Sequence, residues 1–210
     1  MARPSLLSTL FLAALCGVRP AAAEQPPLRF LAEPPQQAVH HHINRITITP
    51  ETLRSGWAGL FQCHDNMDAL GATQIVFSEE RTRALEVVRT RNIDRARVAG
   101  ARVLLDGVEP GAKVCLRAES RVLERTGDGH LVVRNGPFMR RLLDSYFPMH
   151  VTLVVDFPAD RLRYVAIEPT PRPGLAVDKE TGRITVEAWF EGVLRTRLRF
   201  RAEPPATPSI

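Results

Sequence analysis

Residues 183–202 read RITVEAWFEGVLRTRLRFRA, and this stretch predicts the fold class. Successive side chains of a β-strand point to opposite faces, so every second residue shares a face. From 194 to 201 the alternation separates one face, Leu194, Thr196, Leu198 and Phe200, from the other, Arg195, Arg197, Arg199 and Arg201. From 183 to 190 it separates Ile184, Val186, Ala188 and Phe190 from Arg183, Thr185, Glu187 and Trp189. Two consecutive strands, each with one buried face, are therefore predicted.

These two strands are expected to pair as an antiparallel hairpin. A three-residue loop at 191–193 places apolar residues opposite apolar residues, whereas a two-residue loop mixes the two faces. A slip of one residue would move every side chain to the wrong face, so the first register is favoured. It sets Glu187 beside Arg197 and Trp189 beside Arg195 on the solvent side.

The arginines of the last strand form the clearest candidate binding surface. Guanidinium groups on alternate positions of one strand are suited to phosphate, sulfate or carboxylate. The alternative is a solvated face or edge, where arginine discourages edge-to-edge pairing. The predicted anion- or partner-binding residues are Arg183, Trp189, Arg195, Arg197, Arg199 and Arg201.

The rest of the chain repeats the pattern of short strands separated by turn signals. The turn signals include Asp106-Gly107, Pro110-Gly111 and Gly127-Asp128-Gly129. The further predicted strands are Ile43–Ile48, Trp57–Cys63, Gln74–Phe77, Ala84–Arg89, Arg102–Leu105, Val114–Leu123, His130–Arg134, Val151–Phe157 and Leu162–Ile167. Many short strands of this kind predict a mainly β protein, an antiparallel β-sandwich or an open barrel-like fold with one or two short helices.

Two helices are expected. At Pro50–Arg54, Thr49 provides a cap and Pro50 suits the first turn. At Pro137–Tyr146, apolar residues recur at helical spacing, which predicts a plug at one end of the core or a docking helix.

The first 23 residues have the pattern of an export signal. Arg3 precedes an apolar run at 6–18, and small residues at 21–23 precede Glu24, the predicted first mature residue. The run is too short to cross a bilayer, which takes about 20 apolar residues. We therefore expect a periplasmic or secreted protein that is not transmembrane once the signal is removed.

Composition limits the other possibilities. An apolar content of 44% excludes a disordered chain. The formal charge of +5 falls to +3 without residues 1–23, which hold two arginines and no acid. Such a small charge on an exported protein disfavours nucleic acid and favours an envelope protein or an anionic envelope component as partner.

Proline-rich segments flank the predicted body of the protein. Residues 24–38 are expected to form a tether, or an arm that lies along the domain through Leu28, Phe30 and Leu31. The β-rich domain should span 39–202, with two subdomains meeting near 125–135 as an alternative to one. Residues 203–210 should form a flexible tail.

Export also bears on the three cysteines. Cys16 lies in the signal, and the bulky Leu15 before it disfavours attachment of a lipid there. Cys63 and Cys115 remain, an even pair in an oxidising compartment, and a disulfide between them is predicted. A two-thiol metal site or two buried thiols are the alternatives.

Histidines supply a second functional hypothesis. His40 and His42 share a strand face, and His64 follows the first mature cysteine. Two histidines at this spacing, joined by a third, are suited to copper or zinc. The alternative is a polar strand entry with solvated imidazoles.

Motifs of common enzymes do not occur in the sequence. It contains no GxSxG, HExxH, phosphate-binding loop or dinucleotide-binding fingerprint. The sequence therefore predicts an exported, non-catalytic binding or accessory protein without a cofactor, which presents the arginines to an anionic partner. A copper or zinc protein using His40, His42 and His64 is the alternative, and a hydrolase of unknown type is the third hypothesis.

Overall fold

The computed structural model describes residues 27–203, and it confirms the mainly β, sandwich-like fold. The first elements are β1 (Arg29–Phe30), β2 (His41–Thr47), α1 (Pro50–Ser55), β3 (Trp57–Met67), β4 (Leu70–Val76), β5 (Thr82–Ala99) and β6 (Arg102–Arg121). The next are β7 (Leu123–Arg125), β8 (Leu131–Phe138), β9 (Arg140–Leu142), β10 (Ser145–Phe147) and β11 (Met149–Asp156). The last are β12 (Leu162–Glu168), β13 (Leu175–Glu180), β14 (Arg183–Glu191) and β15 (Leu194–Ala202).

These strands form two main sheets. The larger has nine strands in the order β1-β14-β11-β2-β3-β6-β4, with β13 paired to β14 and β5 paired to β6. Within it β11 runs parallel to β2 and antiparallel to β14. The smaller sheet has the order β12-β15-β8-β7, and β9 and β10 form a separate hairpin.

The main core lies between the two sheets. Strand alternation turns Ile46 and Leu153 of the larger sheet, and Val133 and Leu198 of the smaller one, into a single apolar cluster in which all four are fully buried. Burial of each such side chain contributes roughly 1.5–3 kcal/mol to folding. This shared core holds the sheets face to face.

The long hairpin of β5 and β6 bends back on itself. Val76 pairs with Arg102 at one end of β6, and Thr82 pairs with Ser120 at the other. If residues 102–120 of β6 were straight, they would span about 60 Å. The link 77–81 connects the two strands paired at these ends and reaches only about 20 Å, so β6 has to bend. The bend brings the link 77–81 beside the opening between the sheets, and a second apolar cluster fills the inside of the curve.

The predicted hairpin between residues 183 and 200 is wrong. β14 belongs to the larger sheet and β15 to the smaller one, so the two strands do not pair. Both segments are strands with one buried face, as predicted, but the chain at Gly192 crosses from one sheet to the other. The apolar face of each strand therefore packs into the core from its own sheet. It is buried there as completely as it would be in a hairpin.

One predicted helix is confirmed and the other is wrong. In α1 the Thr49 side chain accepts the backbone N–H of Thr52, and Pro50 occupies the first turn. The segment Pro137–Tyr146 instead completes β8 and forms the β9–β10 hairpin. A helix of ten residues is marginal on its own, and Leu143 is 94% exposed, so no continuous apolar face is buried there.

The arm before β2 packs along the domain where it is described. β1 pairs with β14, and Leu28 and Phe30 contact the main core. A Cβ added at Gly174 would lie 2.4 Å from the carbonyl oxygen of Leu31, so a side chain there would push the arm away. The signal predicted at 1–23 and the tail beyond residue 203 lie outside the described residues.

The predicted disulfide between Cys63 and Cys115 is confirmed. The two residues are directly opposite each other on β3 and β6, so the bond ties the curved hairpin to the rest of the larger sheet. None of the helices within residues 27–203 has the length and apolar character needed to cross a membrane.

Candidate functional site

Five of the six histidines gather at one end of the larger sheet. Strand register brings His42 opposite His64 on β3, and His41 opposite His150 on β11. Alternation along β2 then divides them between the two faces of the sheet. His40, His42 and His64 line the space between the sheets, and His41 and His150 lie on the outer face.

The inner group borders a cavity of about 950 Å³ that lies between the two sheets. This volume is within the range of about 300–1,000 Å³ that is common for small-molecule sites. Polar side chains from both sheets border the cavity at inward strand positions, where the other residues are mostly apolar. We call this group the floor of the cavity. The floor residues are His42, Asn44, Gln62, His64, Asn135 and Thr196.

Hydrogen bonds connect part of this floor. The Gln62 Nε2 atom lies 2.6 Å from His64 Nε2, and His64 Nδ1 lies 2.9 Å from His40 Nε2. Asn44 donates from Nδ2 to Asn135 Oδ1 at 3.0 Å, which joins the larger sheet to the smaller one. The floor therefore contains a fixed polar network.

Four atoms of the floor are buried without a hydrogen-bond partner among the described residues. They are His42 Nε2, Asn44 Oδ1, Asn135 Nδ2 and Thr196 Oγ1. An unpartnered buried polar group costs roughly 1–3 kcal/mol. Four such groups around one cavity make folding less favourable, and unpartnered polar groups that cluster in this way are typical of binding sites.

Burial keeps the three histidines that border the cavity uncharged at neutral pH. It lowers the pKa of His40 to about 4 and the pKa of His42 to about 3. Burial also holds the pKa of His64 well below its usual value, and the nearby histidines lower it further. All three imidazoles are therefore neutral near pH 7, each with one N–H and one lone pair.

Arginine is frequent among the residues that border the cavity, and several of these arginines are ion-paired. Among the described residues that line the cavity, six are arginine and one is acidic. The acid, Asp68, is already paired with Arg140. The other lining arginines are Arg81, Arg134, Arg141, Arg195 and Arg197.

The predicted arginine site is divided between the two sheets. Arg195, Arg197, Arg199 and Arg201 lie exposed on the outer face of β15, and we call these four residues the arginine face. Arg183 and Trp189 lie on the larger sheet, where Arg183 pairs with Asp156 at 2.6 Å. The expected contacts of Trp189 with Arg195 and of Glu187 with Arg197 are wrong, because β14 and β15 do not pair.

Trp189 belongs instead to a row of stacked rings on the outer face of the larger sheet. Its ring stacks on His150 at 3.8 Å between centroids, and His150 stacks on His41 at 3.8 Å. The Nε2 atom of His150 lies 2.9 Å from Glu187 Oε1. Stacked imidazole rings direct their lone pairs side by side. The ring nitrogens of this row therefore do not point toward one position, as the ligands of a metal ion do.

The metal hypothesis stays a prediction. His40, His42 and His64 do come together, with ring centroids 4.3 Å apart for His42 and His64. Within residues 27–203, however, no three side chains of histidine, cysteine, aspartate or glutamate are arranged to hold a metal ion. His40 and His64 are hydrogen-bonded to each other instead.

Sequence reasoning missed Asn44, Gln62, Asn135 and Thr196 as site residues. A signal was present for two of them. Asn44 alternates in step with Ile46 and Ile48, and Thr196 lies among three apolar residues on the inward face of β15. A polar residue on an otherwise apolar strand face predicts a buried polar group. The contact of Asn44 with Asn135 had no local signal.

Comparison with known proteins gives no relative: no protein-family model, no curated protein and no solved structure matches this chain.

Proposed function

We propose that the protein is an exported, non-catalytic binding protein whose small-molecule ligand occupies the cavity between the two sheets. The four unpartnered polar atoms of the floor carry this proposal, because a ligand with hydrogen-bonding groups would satisfy all of them at once. The export signal read from residues 1–23 and the Cys63–Cys115 disulfide support an oxidising compartment.

A panel of chemically different probes tests the proposal. The mature chain is screened by thermal unfolding with D-glucose, D-glucuronate, L-arginine, hexanoate and adenosine monophosphate. A ligand that binds only the folded state, present at 100 times its Kd, adds about 2.7 kcal/mol to the free energy of unfolding. Protein taken from the periplasm of an expressing bacterium is also analysed by native mass spectrometry for a bound small molecule.

A pair of matched variants locates the binding. Thr196→Leu places a larger side chain in the floor and should abolish any stabilisation by the ligand. Thr185→Leu makes the same change on the outer face of β14, away from the cavity, and should leave binding intact. The proposal fails if no probe stabilises the protein and no small molecule is found bound, or if both variants bind alike.

A second candidate function is the attachment of an anionic macromolecule to the arginine face. β15 is flanked by β12 and β8, so its arginines do not protect an edge. Within residues 27–203 no carboxylate lies within ion-pair distance of Arg199 or Arg201. Two exposed, unpaired guanidinium groups on an internal strand favour recognition of an anionic surface.

Retention on a polyanion tests this candidate. The double variant Arg199→Ser, Arg201→Ser should elute from heparin–agarose at clearly lower salt than the parent protein. The control Arg97→Ser, Arg102→Ser removes the same charge from the tip of the β5–β6 hairpin and should elute close to the parent. Equal elution of the two double variants would rule out a specific role for the arginine face.

A further inference from the structure

The side-chain amides of Asn44 and Asn135 have a defined orientation where the two sheets meet. The backbone N–H of Gly136 donates to Asn135 Oδ1 at 2.9 Å, so this atom is the amide oxygen. The atom of Asn44 that lies 3.0 Å from the same oxygen must then be its amide nitrogen. Asn44 Oδ1 is therefore a buried acceptor and Asn135 Nδ2 a buried donor, and neither has a partner among the described residues.

Thr196 adds a third unpartnered group at the same place. It lies directly opposite Asn135 in the β8–β15 register, and it is 2% exposed. Its hydroxyl can donate or accept, and it has no partner in the described part of the chain. One acceptor, one donor and one group that can be either therefore lie together. A ligand head group that donates and accepts at once would satisfy them.

This part of the cavity carries no charge. The inward positions of β2, β3, β8 and β15, all of which are described, hold no lysine, arginine, aspartate or glutamate. Arg134 and Arg197 alternate with the inward residues, so they lie on the opposite face of the smaller sheet. The nearby imidazoles are neutral. A charged head group would lose its hydration here without gaining a counter-charge, which is strongly unfavourable.

Apolar side chains cover much of the remaining wall. They come from the main core and from the second apolar cluster inside the curved hairpin, and Phe77 packs against both clusters. The apolar side chains that border the cavity include Leu60, Met67, Ile75, Val122, Phe138 and Met149. Apolar walls with a few polar groups that orient the ligand are common in small-molecule sites. Such walls favour a ligand with an apolar body.

We infer that the ligand is an uncharged amphiphile, with an apolar body against the wall and a head group that both donates and accepts, as an amide does. The inference rests on the proposed function, because it specifies the class of ligand in the same cavity. An amide N–H suits the acceptor Asn44 Oδ1, and an amide carbonyl suits the donor Asn135 Nδ2. A carboxylate lacks the donor and brings a charge, and a sugar lacks the apolar body.

Three isosteric probes test the head group by amide NMR titration of the mature chain. Hexanamide, hexanoate and heptan-2-one share the same chain and carbonyl, to which an amino group, an oxygen anion or a methyl group is attached. Hexanamide should bind about three- to tenfold more tightly than heptan-2-one, which has no N–H to donate to Asn44 Oδ1. It should bind at least about tenfold more tightly than hexanoate, because the carboxylate would be desolvated.

The order of affinities decides between this head group and the alternatives. A cavity that selects only for apolar character would favour heptan-2-one, the most apolar of the three probes. Equal or tighter binding of heptan-2-one would therefore overturn the role of the floor. Equal or tighter binding of hexanoate would overturn the neutral head group.

Acetamide tests the apolar body. It keeps the amide of hexanamide but lacks four CH2 groups, so it should bind about a hundredfold more weakly. A difference of less than about tenfold would overturn the contact of the ligand with the apolar wall.

A matched pair of variants assigns the head group to the floor. Thr196→Val removes one hydrogen-bonding group and should weaken hexanamide about three- to tenfold. Thr185→Val makes the same change on the outer face of β14, away from the cavity, and should leave the affinity unchanged. The amide spectrum of each variant without ligand establishes that it is folded. If the two variants bind hexanamide alike, the assignment to the floor is wrong.

The ligand class and the binding function fail separately. If hexanamide does not bind but native mass spectrometry of the periplasmic protein finds a charged or sugar-like molecule, the class is wrong and the binding function stands. If no probe binds and no small molecule is found, both are wrong.

Discussion

Replacing Thr196 with valine should make the protein more stable, although it removes a polar group from a candidate binding site. Thr196 is 2% exposed, and its hydroxyl has no hydrogen-bond partner among the described residues. Valine has nearly the same shape and carries a methyl group in place of the hydroxyl. The substitution therefore removes a desolvation cost and leaves the packing of β15 as it was.

The expected gain follows from that cost. A buried polar group without a partner is unfavourable by roughly 1–3 kcal/mol, so the free energy of unfolding should rise by about 1–2 kcal/mol. In a chain of this size each kcal/mol raises the Tm by about 2–4 °C. Affinity for a ligand of the cavity should fall in the same variant, since the floor loses one contact.

Thr52→Val is the matched control, and it should change the free energy of unfolding in the opposite direction. Thr52 is 1% exposed, and its hydroxyl accepts the backbone N–H of Thr49 at 3.0 Å in the cap of α1. The same chemical change should therefore lower the free energy of unfolding by about 1 kcal/mol.

Denaturant unfolding of both variants without ligand measures the two values. Trp57 and Trp189 report the transition by fluorescence, and the disulfide is kept oxidised. An unchanged m-value establishes that only stability has changed. A loss of stability in Thr196→Val would show that the hydroxyl is satisfied in solution. The main support for a binding cavity would then be gone.

Three further predictions concern the rest of the fold. Replacing Cys63 and Cys115 with alanine removes a link across 52 residues and should lower the free energy of unfolding by about 4 kcal/mol in denaturant; a loss below about 1 kcal/mol would contradict the entropic account. Burial lowers the pKa of His64 in the folded state, so its contribution to stability is complete above about pH 6.5 and is lost as pH falls below that value. His64→Gln should therefore reduce the pH dependence of acid unfolding by up to about 1.4 kcal/mol per pH unit, and an unchanged slope would refute this origin. Gly174→Ala should detach the N-terminal arm and expose it to limited proteolysis, whereas Gly100→Ala, which has a similar positive φ but no atom within 4 Å of the added Cβ, should not; equal proteolysis of the two would contradict the close approach.

Strand positions were predictable because alternation is a local property. Leu194 to Arg201 reveals its buried and exposed faces without reference to any other residue, and the structure has them as the sequence indicates. Pairing is different, because it depends on the whole chain. The apolar face of β14 can be buried beside β15 or across the core from it, and both arrangements have the same sequence pattern. The parallel pair β2–β11 joins segments about 100 residues apart and left no sequence signal.

The site was predictable only in part, for the same reason. His40 and His42 on one face follow from their spacing, and the disulfide prediction already placed His64 near β6. The bond between Asn44 and Asn135 joins residues 91 positions apart on two sheets, so it depends on how the sheets pack. The helix predicted at Pro137–Tyr146 failed because a four-residue apolar spacing over one short segment does not distinguish a helix from a hairpin.

The position of β11 sets the order in which the strands can pair as the chain is synthesised. β3 to β6 follow one another in sequence, and the Cys63–Cys115 bond can link β3 to β6 once residue 115 has been made. One edge of β2 pairs with β3 at that stage, but its other edge waits for β11, whose first residue is Met149. Until then the second edge of β2, which begins at His41, is unpaired, and a second copy of the chain could pair with it. A factor that shields this strand would therefore act on the incomplete chain, before the cavity between the two sheets has formed.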